Sequence, residues 1–191
     1  MRSVLNVGGG PGRVLPLVFR GWRQVLLDID AGVQPDIVLD ARRLSTLPPA
    51  GYDAVYCSHT LEHFYGHEVA GVLAGFRHVL KPHGFAEVAV PDLGALARDL
   101  AAAGGDLDAR WYDCPTGPIT FHDVLYGWSE QLQRGNLYYA HHCGFDARRL
   151  TSALQRAGFS KVYVEAANLE LRAVAFLKPP SRERLRQIGV A

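Results

Sequence analysis

Only three cysteines occur in the 191 residues, Cys57, Cys114 and Cys143, and their spacing fits neither a disulfide framework nor a paired zinc-knuckle pattern. Charge of one sign is also missing. Twenty Lys and Arg against nineteen Asp and Glu leave +1, with no basic tract, so nucleic acid is not the expected partner. Every apolar run is broken by Arg, Asp, His or Gly well short of the about 20 residues that a membrane-spanning helix needs, and no membrane partner is expected. The N-terminus runs straight into Val4-Leu5-Asn6-Val7 with no apolar signal core, which points to the cytoplasm. Repeats and low-complexity stretches are absent. What is present is a 48% apolar composition, enough for a sizeable core, at a length that suits one domain with an insertion.

Short apolar runs alternate with helical patterns, as in an α/β sheet whose parallel strands are buried on both faces. Residues 3–7 form the first strand, stopped by Gly8-Gly9-Gly10-Pro11-Gly12, a loop where backbone can approach a ligand closely. Residues 25–29 form the second, so a helix around 14–19 must be short, and Pro16 interrupts it. Residues 37–39, 53–57 and 85–90 supply three more strands. Val69, Val72, Leu73, Phe76, Val79 and Leu80 form one apolar stripe, predicting a helix over about 62–80 that stops at Lys81-Pro82-His83-Gly84. Asp92 caps a further helix to about Ala103, with Leu93, Leu96, Ala97 and Leu100 inward. Asp146 caps the last regular helix, with Leu150, Leu154 and Ala157 inward and Gly158 beyond its end. Residues 162–164 and 171–177 read as a closing antiparallel pair, because their connection is too short for a crossover helix. Residues 106–143 lose all period and are rich in aromatic, His and Gly residues. They read as an insertion over the ligand face of a single domain spanning 1–178, with one helix near 123–133 and a turn at Asp113-Cys114-Pro115. Residues 179–191 read as a polar tail, with one or two loose helical turns over 181–191.

A strand feeding a glycine loop, with an acid at the end of the next strand, is a layout for an adenosine-containing ligand in an open α/β sheet. The Gly-x-Gly-x-x-Gly form fails at Arg13, and no Gly-Lys-Ser/Thr follows, which weakens an NAD(P)-dependent oxidoreductase reading. The curtailed first helix offers little N-terminus for a pyrophosphate, so the pattern favours an adenosine ligand without a diphosphate.

In chain order, Leu5-Asn6-Val7-Gly8-Gly9-Gly10, Val25-Leu26-Leu27-Asp28-Ile29, Asp36-Ile37-Val38-Leu39-Asp40-Ala41-Arg42-Arg43-Leu44 and Tyr52-Asp53-Ala54-Val55-Tyr56-Cys57-Ser58-His59-Thr60-Leu61-Glu62-His63 are followed by Val79-Leu80-Lys81-Pro82-His83-Gly84-Phe85, Val90-Pro91-Asp92-Leu93 and Ala157-Gly158-Phe159. This ordered set resembles the class I S-adenosylmethionine-dependent methyltransferases, specifically the small methyltransferase-11-like type, over residues 4–177. The resemblance implies a doubly wound Rossmann-like sheet, mostly parallel with a terminal antiparallel strand. It also implies S-adenosylmethionine as cofactor and methyl transfer to a small-molecule or glycan-like acceptor. By the same resemblance Gly8 and Gly10 lie beneath the methionine part, Asp28 binds the ribose diol, and Asp40 with Ala41 faces the adenine amino group. Ser58 and His59 then border the methionine end and the transfer site. The chemistry agrees, since a carboxylate accepts from both hydroxyls of a diol and strand C-termini open on the crevice. Asp30 shares the strand parity of Asp28 and is its rival. The short stretch 12–24 departs from the family pattern and leaves a catalytically weak or inactive scaffold or partner subunit as the alternative reading.

Methyl transfer from a sulfonium is an in-line displacement in which the enzyme orients the acceptor and takes its proton where needed. His59, His63 and His67 recur every fourth residue and can share a helix face, but the His-Glu-x-x-His pattern is missing and no metal is expected. Glu62 and His63 read as structural or capping residues, and His59 as a candidate acid–base group. His122, His141 and His142 are the candidate bases in the insertion, where Tyr138, Tyr139 and the other rings form either a pocket wall or the insertion's own small core. Neither Cys114 nor Cys143 shows the base and orienting group that a nucleophile needs. A homodimer through the insertion or the terminal strand edge stays open.

Overall fold

The computed structural model describes residues 1–114 and 117–190, so Pro115 of the expected turn lies outside the described residues. Five parallel strands form in chain order: β1 (Ser3–Val7), β2 (Arg23–Asp28), β3 (Ile37–Val38), β4 (Tyr52–Ser58) and β5 (Leu80–Pro91). β8 (Lys161–Ala167) and β9 (Glu170–Phe176) close the sheet antiparallel, giving the order β3-β2-β1-β4-β5-β9-β8. The expected sheet, with its antiparallel end, is the one observed. The chain winds outward from β1 to β3, then returns to lay β4 on the other side of β1. Ligands in open α/β sheets bind at such a reversal, outside the carboxyl ends of the strands. The register sets Val7 opposite both Leu27 and Cys57, so Gly8, Asp28 and Ser58 follow at one level of that edge.

Strand parity divides the core. Leu5 and Val7 of β1 join Val55, Cys57, Ala86 and Val88 on the face covered by α1 (Val69–Val79) and α5 (Ala147–Arg156). Val4, Ala54 and Phe85 point to the opposite face, where Phe19, Ile188 and Val190 cover them. The region between β1 and β2 holds only a single 3-10 turn, Leu17–Phe19, entered from Pro16 as the sequence required. The residues expected as a polar tail form α6 (Arg182–Gln187) and then bury Ile188 and Val190. The physical reason is that this sheet face has no long helix of its own, and its apolar side chains need a cover.

Two expected helices are shorter or broken. The helix predicted over 62–80 begins only at Val69; residues Leu61–His63 make one 3-10 turn, after which Phe64 is extended. His59, His63 and His67 therefore share no helix face. α1 also ends at Val79, and Leu80 already belongs to β5, paired with Tyr52. α2 (Leu93–Ala102) starts where Asp92 accepts from the Gly94 N–H, but it buries only Leu96, and Ala97 is exposed because the insertion covers one side alone. The insertion forms a hairpin, β6 (Arg110–Cys114) with β7 (Gly117–Thr120), followed by α3 (Phe121–Tyr126) and α4 (Ser129–Gln133). Gly127, at φ 104°, and the extended Trp128 split the single helix expected near 123–133. Phe121, Val124 and Leu96 form a small core there, with Trp111 packed on it. Among the described residues no helix is long and apolar enough to cross a membrane.

Asp123 joins the two short helices. It completes a capping box with Thr120 and accepts from both N and Oγ of Ser129, at 3.0 and 2.6 Å. Burial opposes ionisation, yet the hydrogen bonds from Ser129 and Thr120 prevail and bring its carboxyl to about 2. A depressed folded-state value stabilises above the unfolded value and is lost as pH falls through the folded one. The contribution of Asp123 is thus complete above its ordinary 3.8 and disappears as pH drops through about 2. A carboxyl midpoint below 3 in an NMR titration is expected on this basis; one near 4 would refute it. Ile188→Ala is expected to cost about 2 kcal/mol in urea unfolding, whereas a solvated tail would give a change within about 0.5 kcal/mol.

Candidate active site

The glycine loop after β1 is tied to β2 by the Gly8 N–H, which donates to the Leu27 carbonyl at 2.8 Å. Gly8 and Gly10 have φ of 69° and 59°, a conformation that side chains disfavour. A Cβ on Gly8 would lie 2.4 Å from the Thr60 hydroxyl, whereas one on Gly10 meets nothing within 4 Å. Gly10 borders a cavity of about 310 Å³ at the carboxyl edge of β1, β2 and β4. That size lies at the lower end of the roughly 300–1,000 Å³ typical of ligand pockets.

Two carboxylates stand on the cavity wall at successive strand ends. Asp28 accepts from the Gly10 N–H with one oxygen and from the Asp30 N–H with the other, both at 3.1 Å. Asp30 also borders the cavity, but one oxygen caps its own 3-10 turn by accepting from Gly32 at 2.7 Å. Asp40 caps the 3-10 turn Ala41–Thr46 and binds the Arg42 guanidinium, whose other end reaches Glu68 at 2.7 Å. Burial raises the Asp40 carboxyl, but the hydrogen bonds from Arg42 outweigh it and hold it below its usual range. Arg42 and Glu68 brace this end of the cavity and escaped the sequence reading. Arg42 adjoins the Asp40-Ala41 motif; Glu68 carries no sequence signal.

Histidines line the same cavity. His59, with φ 47°, lines the cavity with half its side chain exposed. Its Nε2 pairs with Glu170 at 3.0 Å and its Nδ1 lies 3.5 Å from Glu62. Burial lowers the imidazole, but the hydrogen bond to Glu170 and the charges of Glu170 and Glu62 push it up to about 10, so His59 is cationic at neutral pH. Thr60 lines the wall beyond Ser58, which stands at the strand end but off the cavity. His142 lines the cavity and stacks on Tyr65 at 4.3 Å. Tyr138 and Tyr139, from the 3-10 turn Leu137–Tyr139, face it from the insertion.

His141 and His122 lie off that wall. His141 is held through Nδ1 at 2.8 Å from the Val124 carbonyl, and burial keeps it below its ordinary range. His122 packs on Tyr126 and lies 3.5 Å from the Ser129 hydroxyl. Cys143 is pushed up to about 11 by burial, and fully buried Cys57 is raised further still, so neither supplies a thiolate at neutral pH. The site thus brings Gly8, Gly10, Asp28, Asp40, Ala41, His59 and His142 onto one cavity, and leaves Ser58, His122 and His141 outside it.

A family model described as a methyltransferase domain matches residues 2–164. No curated protein sequence matches the chain. Among solved structures, an S-adenosylmethionine-dependent methyltransferase of Archaeoglobus fulgidus is similar, with a TM-score of 0.59 and 17% identity, over 92% of this chain and 86% of that one. Another, of Thermotoga maritima, gives 0.59 and 15% identity over 93% of this chain and 82% of its own. The 1,6-didemethyltoxoflavin-N1-methyltransferase of Burkholderia thailandensis, bound to 1,6-didemethyltoxoflavin and S-adenosylhomocysteine, gives 0.54 and 18% over 91% and 70%. Because the family match runs through the entire parallel half of the sheet and into β8, the chain belongs to the methyltransferase-domain family.

Proposed function

We propose that this chain binds S-adenosylmethionine in the strand-end cavity and transfers its methyl group to a small-molecule acceptor in the cytoplasm. The observation that carries this reading is the meeting of Gly10, Asp28 and Asp40 on one cavity at the reversal of strand order. Each Asp28 oxygen already accepts one backbone N–H and keeps lone-pair capacity for a ribose hydroxyl. Asp40 and Ala41 suit the adenine end, braced by Arg42 and Glu68. The open space above Gly10 is a cradle that any side chain there would fill.

When bound, the cofactor supplies a methyl carbon made electrophilic by its sulfonium. The residues of this chain must then orient the acceptor and receive its proton. Tyr65, Tyr138, Tyr139 and His142 line the cavity, and such rings suit a small planar or sugar-like acceptor. His142 is the base that this geometry favours. His59, held protonated by two carboxylates, is better suited to orient a polar acceptor than to accept a proton. An inactive scaffold is the second reading, favoured only by the single 3-10 turn between β1 and β2.

Calorimetric titration with S-adenosylmethionine and S-adenosylhomocysteine is expected to show saturable binding in the micromolar range, weakened at least tenfold in Asp28→Ala. Failure of a folded parent to bind either ligand would favour the scaffold. The two glycines should separate stability from binding. Gly8→Ala clashes with Thr60 and is expected to lose about 2 kcal/mol or more of stability. Gly10→Ala should cost about 1 kcal/mol of backbone strain while weakening cofactor binding by the larger factor. Equal losses of binding and stability in both variants would contradict this assignment.

A further inference from the structure

We propose that Glu62, His63 and His141 bind one divalent transition-metal ion of the zinc class beside the cavity. Their ligand atoms lie within 4.8 Å of one another, although His141 is 78 residues along the chain from His63. Glu62 is 1% exposed, and among the described residues neither of its carboxylate oxygens has a hydrogen-bond partner. The charge contact from His59 reaches Oε1 alone, at 3.5 Å, and leaves Oε2 unanswered. That oxygen of a buried carboxylate has room for a second cationic partner beside His59.

Both histidines are arranged to supply lone pairs to it. His63 Nδ1 lies 3.0 Å from the Ala140 carbonyl and His141 Nδ1 lies 2.8 Å from the Val124 carbonyl. A carbonyl oxygen can only accept, so each Nδ1 donates, and in the neutral imidazole each Nε2 is then the nitrogen with the free lone pair. Metal-bound histidines are commonly fixed in this way, by a second group on the far ring nitrogen. The two rings stand 4.8 Å apart, steeply inclined to each other. Further bonds hold the cluster: the His141 N–H donates to the Tyr126 carbonyl at 3.0 Å, and the His142 N–H to the Glu62 carbonyl at 2.8 Å.

Two imidazoles and one carboxylate suit zinc, cobalt or nickel better than calcium or magnesium, which prefer all-oxygen sets. Three protein ligands leave a coordination position, and His63 itself lines the cavity. On the methyltransferase reading, an acceptor hydroxyl can take that position. Its proton passes to His142 or water, the oxygen–methyl bond forms as the carbon–sulfur bond breaks, and the electron pair stays on the sulfur of S-adenosylhomocysteine.

The test uses the full chain, stripped with a chelator and titrated with Zn²⁺ or Co²⁺ by calorimetry and absorption. One equivalent is expected to bind, with visible Co²⁺ bands of a four- or five-coordinate site. His141→Ala and Glu62→Gln should each weaken Zn²⁺ binding at least tenfold, and the exposed His83→Ala should leave it unchanged. Should those variants fail to fold, Zn²⁺ must protect His63 and His141 of the parent from diethyl pyrocarbonate, mapped by mass spectrometry. Absence of a stoichiometric ion on the folded parent, unchanged affinity in a folded His141→Ala, or absence of protection overturns the proposal. S-adenosylmethionine binding, measured on the stripped protein, is expected to persist, so failure of the metal site and failure of the methyltransferase reading give different results.

Discussion

The reversal of strand order at β1 is the constraint on which the site depends. With β2 paired on one side and β4 on the other, both parallel, three chain segments leave the sheet at one edge and must diverge. Divergence opens the cavity, and the register puts a glycine loop, a carboxylate and the His59 turn at the same height around it. Backbone N–H groups freed at these strand ends are answered locally, by Asp28 for Gly10 and Asp30 and by Asp40 for Arg42. The carboxylates that shape the turns therefore also face the ligand space.

The second half of the chain completes the cavity from outside. The Glu62 carbonyl accepts from the N–H groups of both His142 and Cys143, which anchors the end of the insertion to the turn after β4. That anchoring brings Tyr138, Tyr139 and His142 over the cavity and His141 against His63. The histidine cluster does not exist without it.

Two buried glutamates show opposite solutions to the same cost. Glu87, 2% exposed on β5, is met by Arg172 of β9 at 2.8 Å, and the same guanidinium donates to the Ile188 carbonyl at 3.2 Å. That pair ties α6 and the last residues to the sheet, so its role is architectural. Glu62 is buried as deeply, but its nearest cationic groups are histidines, and among the described residues only His59 makes a charge contact. Histidine, unlike arginine, can serve either as a charge or as a ligand, and this freedom is what makes the Glu62 cluster chemically distinct.

The sequence by itself determined the sheet. Short apolar runs, the Gly8-to-Gly12 loop and the acids Asp28 and Asp40 are local signals, and strand parity follows from a two-residue period that no distant contact alters. The caps at Asp92 and Asp146 were legible for the same reason. Tertiary structure decided the rest. The helix start moved from 62 to Val69 because the turn after β4 serves the cavity and the insertion rather than the apolar stripe. Ile188 and Val190 are buried because an uncovered sheet face lies beneath them, a need that their own polar neighbourhood does not reveal. Arg42 reaching Glu68, and His141 reaching the Glu62 turn, span 26 and 78 or more residues, and pairings at such separation are set by packing rather than by spacing along the chain.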